Sequence, residues 1–317
     1  MEEIKDITPV LSVVIPVLNE AESLALLHQS LTQVLTSLGK PYEILFVDDG
    51  SNDGSYKALC RLSEEDSHVR LIKFRRNFGK AAALSAGFAH TRGAIIITMD
   101  GDLQDDPAEI PALLSKIAEG WDLVSGWKAH RKDPLSKRLP SKLFNWVTTK
   151  VTGLSLHDFN CGLKAYRHEV IKNLPLYGEL HRYIPVMAHE QGFRVTEIKV
   201  RHHSRKFGKS KYRFERYLRG FFDLLTVVLL TRYIRRPLHL FGGVGLLCFA
   251  AGFVINLYMT YLWLISVPIG HRPLLILGVL LVVTGVQFIS MGLIGELLIK
   301  ERGDPHSHYN IEDTRGI

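Results

Sequence analysis

A chain of 317 residues, 46% of them hydrophobic, fits a globular protein of one large domain or two smaller ones. Its three cysteines, Cys60, Cys161 and Cys248, stand far apart, which excludes a disulfide framework and a cysteine metal site. A net charge of +7 points to an acidic partner: nucleic acid, anionic lipid or a phosphorylated substrate.

The first ten residues, MEEIKDITPV, are acidic and lack an apolar core, so no signal peptide is expected. LSVVIPVL, from Leu11, reads as a first buried strand. NEAESLALLHQSLTQVLTSLG then has helical periodicity, with Asn19 as the expected N-cap and Gly39 as the stop. YEILFVDD is a second strand, and a helix runs through DGSYKALCRLSEED. VRLIKF and AIIITMD are further strands, separated by a helix through KAAALSAGFAHT. DLVSGWK is a fifth. Apolar strands alternating with helices predict an α/β domain with a mostly parallel sheet covered on both faces. Ligands bind such sheets at the carboxyl ends of the strands. Three polar clusters fall there: Asn19-Glu20, DDGSNDGS and DGDLQDD. No GxGxxG follows the first strand and no P-loop is present, which argues against those nucleotide-binding designs.

The last cluster, TMDGDLQDDP (Thr98–Pro107), sets four aspartates within seven residues. Asp106 is expected to cap a helix opened by Pro107, with Glu109 closing a capping box. Asp105 is accommodated by the same helix N-terminus. Asp100 and Asp102, flanking Gly101, have no such structural task. Two hard carboxylates beside backbone that can approach closely suit Mg²⁺ or Mn²⁺ bound with a diphosphate, although a solvated turn would use the same residues. Asp48 and Asp49 either accept hydrogen bonds from a nucleobase and ribose or shape a turn. Arg75, Arg76 and Lys80 surround a glycine at a helix start, a phosphate-binding environment or a solvated basic turn. Asp158 either orients the acceptor or acts as a base, or caps a turn with Asn160. His157, His202 and His203 read as local hydrogen-bonding residues rather than zinc ligands.

Two long apolar runs follow, at about 238–265 and 274–298, each longer than the roughly 20 residues a bilayer requires. Arg232, Arg235 and Arg236 precede the first run and Lys300 and Arg302 follow the second, whereas the connecting loop holds only Arg272. The positive-inside bias predicts an inner-membrane protein with two spans and with the catalytic domain and both termini cytoplasmic. Residues 213–236 combine apolar runs with basic ends, as in a helix lying in the headgroup plane. The expected organisation is a domain at 1–212, a juxtamembrane helix at 213–236, a hairpin at 237–300 and a tail at 301–317. Because the basic residues cluster beside the spans, lipid and phosphorylated substrate are favoured and nucleic acid is not.

The ordered set VVIPVLNE, VDDGSNDGS, RRNFGKAAALSAGF and MDGDLQDDP resembles family 2 glycosyltransferases of the GT-A fold. More narrowly it resembles the polyprenyl-phosphate glycosyltransferases, the group with dolichol-phosphate mannose synthases and bacterial undecaprenyl-phosphate sugar transferases. The likeness continues through DFNCGLKAYR (Asp158–Arg167) and RKFGKSKY (Arg205–Tyr212) into the hairpin. It implies that Pro16, Asn19, Glu20, Asp48 and Asp49 hold the nucleoside. Asp100, Gly101, Asp102 and Gln104 would meet the diphosphate, with Asp100, Asp102 and Gln104 as ligands of Mg²⁺ or Mn²⁺. Lys80 and Lys128 would assist donor binding, and Arg205 and Lys211 would gather donor and acceptor phosphates. With Asp102 and Asp158, those two form the expected catalytic set.

The implied reaction is an inverting transfer of a hexose from a nucleotide sugar to polyprenyl phosphate. Leu18 replaces a frequent aromatic residue, and Lys128 stands where many mannose synthases have arginine. Lysine lacks arginine's bidentate fork, so UDP-glucose is favoured over GDP-mannose. A transferase acting on hydroxyl acceptors would carry a QxxRW-type motif and more spans, and neither is present. A non-catalytic membrane scaffold is disfavoured by the intact Asp100/Asp102 pair. Homo-oligomerisation is left open.

Overall fold

LSVVIPV is buried along almost its whole length because it lies inside a sheet. In the computed structural model, β1 (Leu11–Val17) pairs in parallel with β2 (Tyr42–Asp48) on one side and β4 (Ile95–Thr98) on the other. The structure describes residues 10–129, residues 145–203 apart from 146, 147, 151, 173, 175, 177 and 179, and residues 237–269 and 272–302. The chain divides into two units, Met1–Leu224 and Leu225–Ile317.

In the first unit the remaining strands are β3 (Val69–Lys73), β5 (Leu123–Trp127), β6 (Lys164–Arg167) and β7 (Val195–Lys199), and the sheet order is β3-β2-β1-β4-β6-β5-β7. Strand β6 runs antiparallel to both neighbours and every other pairing is parallel, so the expected mostly parallel α/β sheet is observed. The longer helices among the described residues are α1 (Leu24–Ser37), α2 (Ser55–Glu65), α3 (Lys80–His90), α4 (Ile110–Ala118) and α5 (Ile184–Glu190), and a single helical turn, His168–Ile171, follows β6. Helix α1 buries Leu24, Leu27, Leu31 and Leu35, a three-and-four spacing that lays one stripe on the sheet.

Two local expectations change. Asn19 is not an N-cap: α1 begins at Leu24, and Asn19 sits at φ +56°. Its Oδ1 accepts from Asn52 N–H at 2.9 Å while its own N–H donates to Ser51 Oγ at 3.0 Å. Asparagine tolerates this left-handed backbone, and here it ties the end of β1 to the loop after β2. Asp106 does cap the turn at Pro107, accepting from Ala108 N–H at 3.0 Å. Glu109, however, closes no capping box and instead faces Arg201, 3.3 Å from its N–H and 3.5 Å from its Nε.

Asp66, where α2 ends, gives a pH prediction. Burial would raise its pKa, but hydrogen bonds from the His68 N–H and ring and from the His28 ring outweigh burial and lower it. A depressed folded-state pKa contributes stability that is present above the unfolded value, about 3.9, and is lost as pH falls through the folded value. The melting-temperature gap between wild type and Asp66→Asn should therefore shrink as the pH falls below about 4.

In the second unit, α6 (Pro237–Leu264) and α7 (Pro273–Arg302) form an antiparallel pair. The apolar stretches Pro237–Leu264 and Pro273–Leu298 have mean hydropathies of 2.1 and 2.4, and 11% of an 18-residue window in each is buried. By length and composition both helices can cross a membrane. Glycines let the backbones meet: a Cβ added at Gly252 would lie 2.6 Å from the Gly278 carbonyl oxygen, and one at Gly245 2.7 Å from that of Gly285.

Candidate active site

From β1 the chain steps outward through β2 to β3, then returns to place β4 on the other side of β1. This reversal opens a crevice at the carboxyl ends of β1 and β4, the usual ligand position in such sheets. Pro16, Asp48, Asp49 and the Asp100–Gln104 segment all lie at this edge. Gly101 is fixed there by its carbonyl, which accepts from Ser23 Oγ at 2.7 Å.

Asp100 forms an ion pair with Lys80, the first residue of α3. Burial opposes ionisation of Asp100, but the ammonium groups of Lys80 and Lys128 outweigh it and hold the carboxyl below the usual range. Beneath it passes Gly162, where an added Cβ would stand 2.7 Å from both Cγ and Oδ2 of Asp100. Gly162→Ala must therefore displace the carboxylate. We expect about a 10²-fold loss in kcat/KM, the cost of misplacing an active-site group by about 1 Å. Steady-state kinetics alongside circular dichroism checks this.

Asp105 takes a role that the sequence did not suggest. It is 2% exposed, and Lys128 Nζ lies 3.0 Å from its Oδ1, a close approach not aligned as a hydrogen bond. Its Oδ2 accepts from the Asp100 N–H at 3.3 Å. Asp105 is thus the internal counter-ion of Lys128 and a prop for Asp100, rather than a helix-dipole residue. Asp102 Oδ1 accepts from the Gln104 N–H at 3.2 Å, and the Gln104 carbonyl accepts from the His203 N–H at 2.9 Å.

Asp49 accepts from the Phe78 and Gly79 N–H groups at 2.7 and 3.0 Å, holding the loop before α3. Burial, named first, and neighbouring Asp48 raise its pKa beyond what these hydrogen bonds lower it. Asp48 is fully buried: Oδ1 accepts from the Ser51 N–H at 3.3 Å, and Oδ2 has no hydrogen-bond partner among the described residues. The Glu20 N–H donates to Ser55 Oγ at 2.9 Å. Asp158 is 3% exposed and accepts from the Asn160 N–H at 3.0 Å, the turn cap weighed against a catalytic role. Arg205 and Lys211 lie outside the described residues.

A pocket continues from Asp100 into the molecule, and sequence reasoning missed its polar lining: Asn160, Lys164, His181 and Arg182, with Lys80 at the mouth. Lys164 opens β6, opposite Thr98 of β4. Its one sequence signal is a lysine within the otherwise apolar CGLKAY. Burial, with Lys80, Arg182 and Lys164 nearby, pushes the His181 ring down to about 2, so it is neutral. Burial likewise raises the Cys161 thiol to about 12, so no thiolate forms there.

The sequence pattern of "Glycosyl transferase family 2" matches residues 12–174, the span that contains this crevice. The chain belongs to that family. A dodecaprenyl-phosphate galacturonate synthase of Rhizobium johnstonii is 38% identical, the match covering 94% of this chain and 91% of that protein. An undecaprenyl-phosphate 4-deoxy-4-formamido-L-arabinose transferase of Salmonella paratyphi B is 40% identical over 90% of this chain and 87% of its own. Among solved structures, mannosyl-3-phosphoglycerate synthase of Rubrobacter xylanophilus superposes with a TM-score of 0.53 at 17% identity, covering 70% of this chain and 73% of that one. Glucosyl-3-phosphoglycerate synthase of Mycobacterium tuberculosis, in complex with Mn²⁺, UDP-glucose and phosphoglyceric acid, gives 0.51 at 18%, covering 70% and 79%. At such identities these structures speak for the fold, a mixed α/β sheet of GT-A type. As a member of the family, the chain is a glycosyltransferase.

Proposed function

We propose that this glycosyltransferase moves a sugar from a nucleoside diphosphate sugar to a polyprenyl phosphate, inverting the anomeric centre, on the cytoplasmic face of the inner membrane. The carrying observation is the reach of the relatives' match: it covers 94% of the chain, hairpin as well as catalytic unit, in a protein named for a polyprenyl-phosphate acceptor. The Arg232, Arg235 and Arg236 cluster ahead of α6 supports the orientation.

The acceptor's phosphate oxygen attacks the anomeric carbon as the bond to the nucleoside diphosphate breaks. A phosphomonoester is largely ionised at neutral pH, its second pKa being about 6, so no strong base is required. Asp158, buried and capping Asn160, then serves to orient rather than to deprotonate. The demand falls on the leaving group, whose growing charge Lys80 meets at the crevice mouth. Asp100, Asp102 and Gln104 offer two carboxylates and an amide oxygen, hard donors that suit Mg²⁺ or Mn²⁺. Among the described residues no three His, Cys, Asp or Glu side chains form a metal cage of their own. That fits a cation completed by substrate phosphate. Such an ion supplies charge neutralisation for the departing diphosphate. A fold neighbour solved with Mn²⁺ and UDP-glucose supports this choice.

UDP-glucose, favoured from the sequence, partly rested on Lys128. That side chain is 9% exposed and committed to Asp105, which removes that support. The test is a screen of labelled UDP-, GDP- and dTDP-sugars with undecaprenyl phosphate, Mg²⁺ and the purified full-length protein. Solvent-extractable, lipid-linked label is expected with at least one donor. Its absence with every donor overturns the proposal.

A further inference from the structure

We infer that the pocket beneath Asp100 is a subsite for an acidic sugar, in which Lys164 receives the carboxylate of a transferred uronic acid. This rests on the transferase reading and names the class of sugar.

Lys164 is 4% exposed, and its single hydrogen bond among the described residues is to the Cys161 carbonyl. Burial, with Lys80 nearby, lowers the Lys164 pKa, so an incoming anion would favour the ammonium, whose three N–H donors leave two beyond the Cys161 bond. No described carboxylate lies within 4.0 Å of its Nζ. Buried charges in proteins are as a rule paired, because an unpaired one costs several kcal/mol. The nearby acids are already engaged: Asp100 with Lys80, Asp105 with Lys128, and Asp158 with the Asn160 N–H.

Two further polar atoms on residues lining the same pocket are buried without a hydrogen-bond partner among the described residues, Asn160 Oδ1 and His181 Nδ1. A cation together with a neutral donor–acceptor pair matches a carboxylate beside ring hydroxyls. Arg182 adds positive charge to the lining.

Position selects the sugar rather than the rest of the donor. Asp100 stands at the mouth and faces the diphosphate in the proposed reading, so the group that enters past it is the one attached to that diphosphate. The enclosed space is about 20 Å³, room for a group of about the size of one water. That suits a carboxylate reaching inward from a sugar ring held in the crevice, not the ring itself. A relative named for galacturonate transfer agrees with an acidic sugar.

The experiment compares UDP-galacturonate and UDP-glucuronate with UDP-galactose and UDP-glucose, using full-length protein, undecaprenyl phosphate and Mg²⁺. Wild type should favour a uronate over its neutral counterpart at least tenfold in kcat/KM. Lys164→Met should cut uronate transfer about 10²-fold and change neutral-hexose transfer less than threefold. Without donor, Lys164→Met should melt no lower than wild type, since it removes a buried amine with no described carboxylate beside it. UDP-uronate should raise the melting temperature of wild type but not of the variant. Asn160→Ala provides a control: it removes an acceptor for ring hydroxyls that every hexose carries, so it should lower transfer of uronates and neutral hexoses about equally. Preference for neutral hexoses, or an equal loss on all donors in Lys164→Met, overturns the subsite. Product from some other nucleotide sugar but from neither uronate also overturns the subsite while leaving the transferase reading intact. No lipid-linked product from any donor overturns both.

Discussion

Asp102→Asn should reduce transfer by about 10³-fold, the loss of roughly 4 kcal/mol of transition-state stabilisation, while the protein stays folded. The substitution keeps an oxygen at Oδ1, so the hydrogen bond from the Gln104 N–H survives and the turn after β4 holds its shape. What disappears is one unit of negative charge at the strand end, and with it a hard ligand for the proposed cation. Asp102 is partly exposed, so neutralising it should move the melting temperature by only a few degrees. Measured turnover and thermal unfolding separate the two effects. A variant that folds and transfers at the wild-type rate would remove Asp102 from the catalytic set.

Asp105→Ala should do the reverse and strike stability first. It strands Lys128, whose side chain is 9% exposed, with its nearest counter-charge gone. Breaking one partner out of a buried pair costs about 3–5 kcal/mol. For a unit of this size that amounts to a fall of about 6–20 °C in melting temperature. Activity should fall as well, because Asp105 Oδ2 supports the Asp100 N–H. Lys128→Met on the Asp105→Ala background should recover much of the lost stability, since the stranded charge is then absent. A double-mutant cycle read by thermal unfolding measures the coupling, and a value near zero would refute the pairing.

Much of this architecture was legible in the amino-acid order. Strands β1 to β5 are short apolar runs punctuated by Gly, Asp and Asn, and that punctuation survives any tertiary context. Strands β6 and β7 were missed for physical reasons. KAYR is only four residues long with a cation at each end, so its burial between β4 and β5 leaves little hydrophobic pattern. VTEIK is a half-buried edge strand whose polar residues dilute its pattern.

In the crevice, Asp100 and Asp102 stood out because a buried strand rarely ends in two carboxylates without a local task. Their neighbours Lys80, Lys128 and Gly162 could be matched to partners only after folding, because each pairing joins separate elements. Asp105 looked like a helix-end residue for the same reason. Lys164 and His181 are drawn together by β6 and the segment before α5, which no periodicity relates.

The hairpin glycines add a constraint of another kind. Gly245 meets Gly285 and Gly252 meets Gly278, while Gly292 meets Leu238, so each step of seven up one helix matches a step of seven down the other. Such a ladder is indifferent to many outward side chains, which are exposed, but not to the count of residues between its rungs. One inserted residue in α6 turns everything beyond it by about 100° and swings the later glycines off the seam. The two helices should therefore accept substitution far more readily than insertion or deletion, drifting in sequence while keeping their length in step.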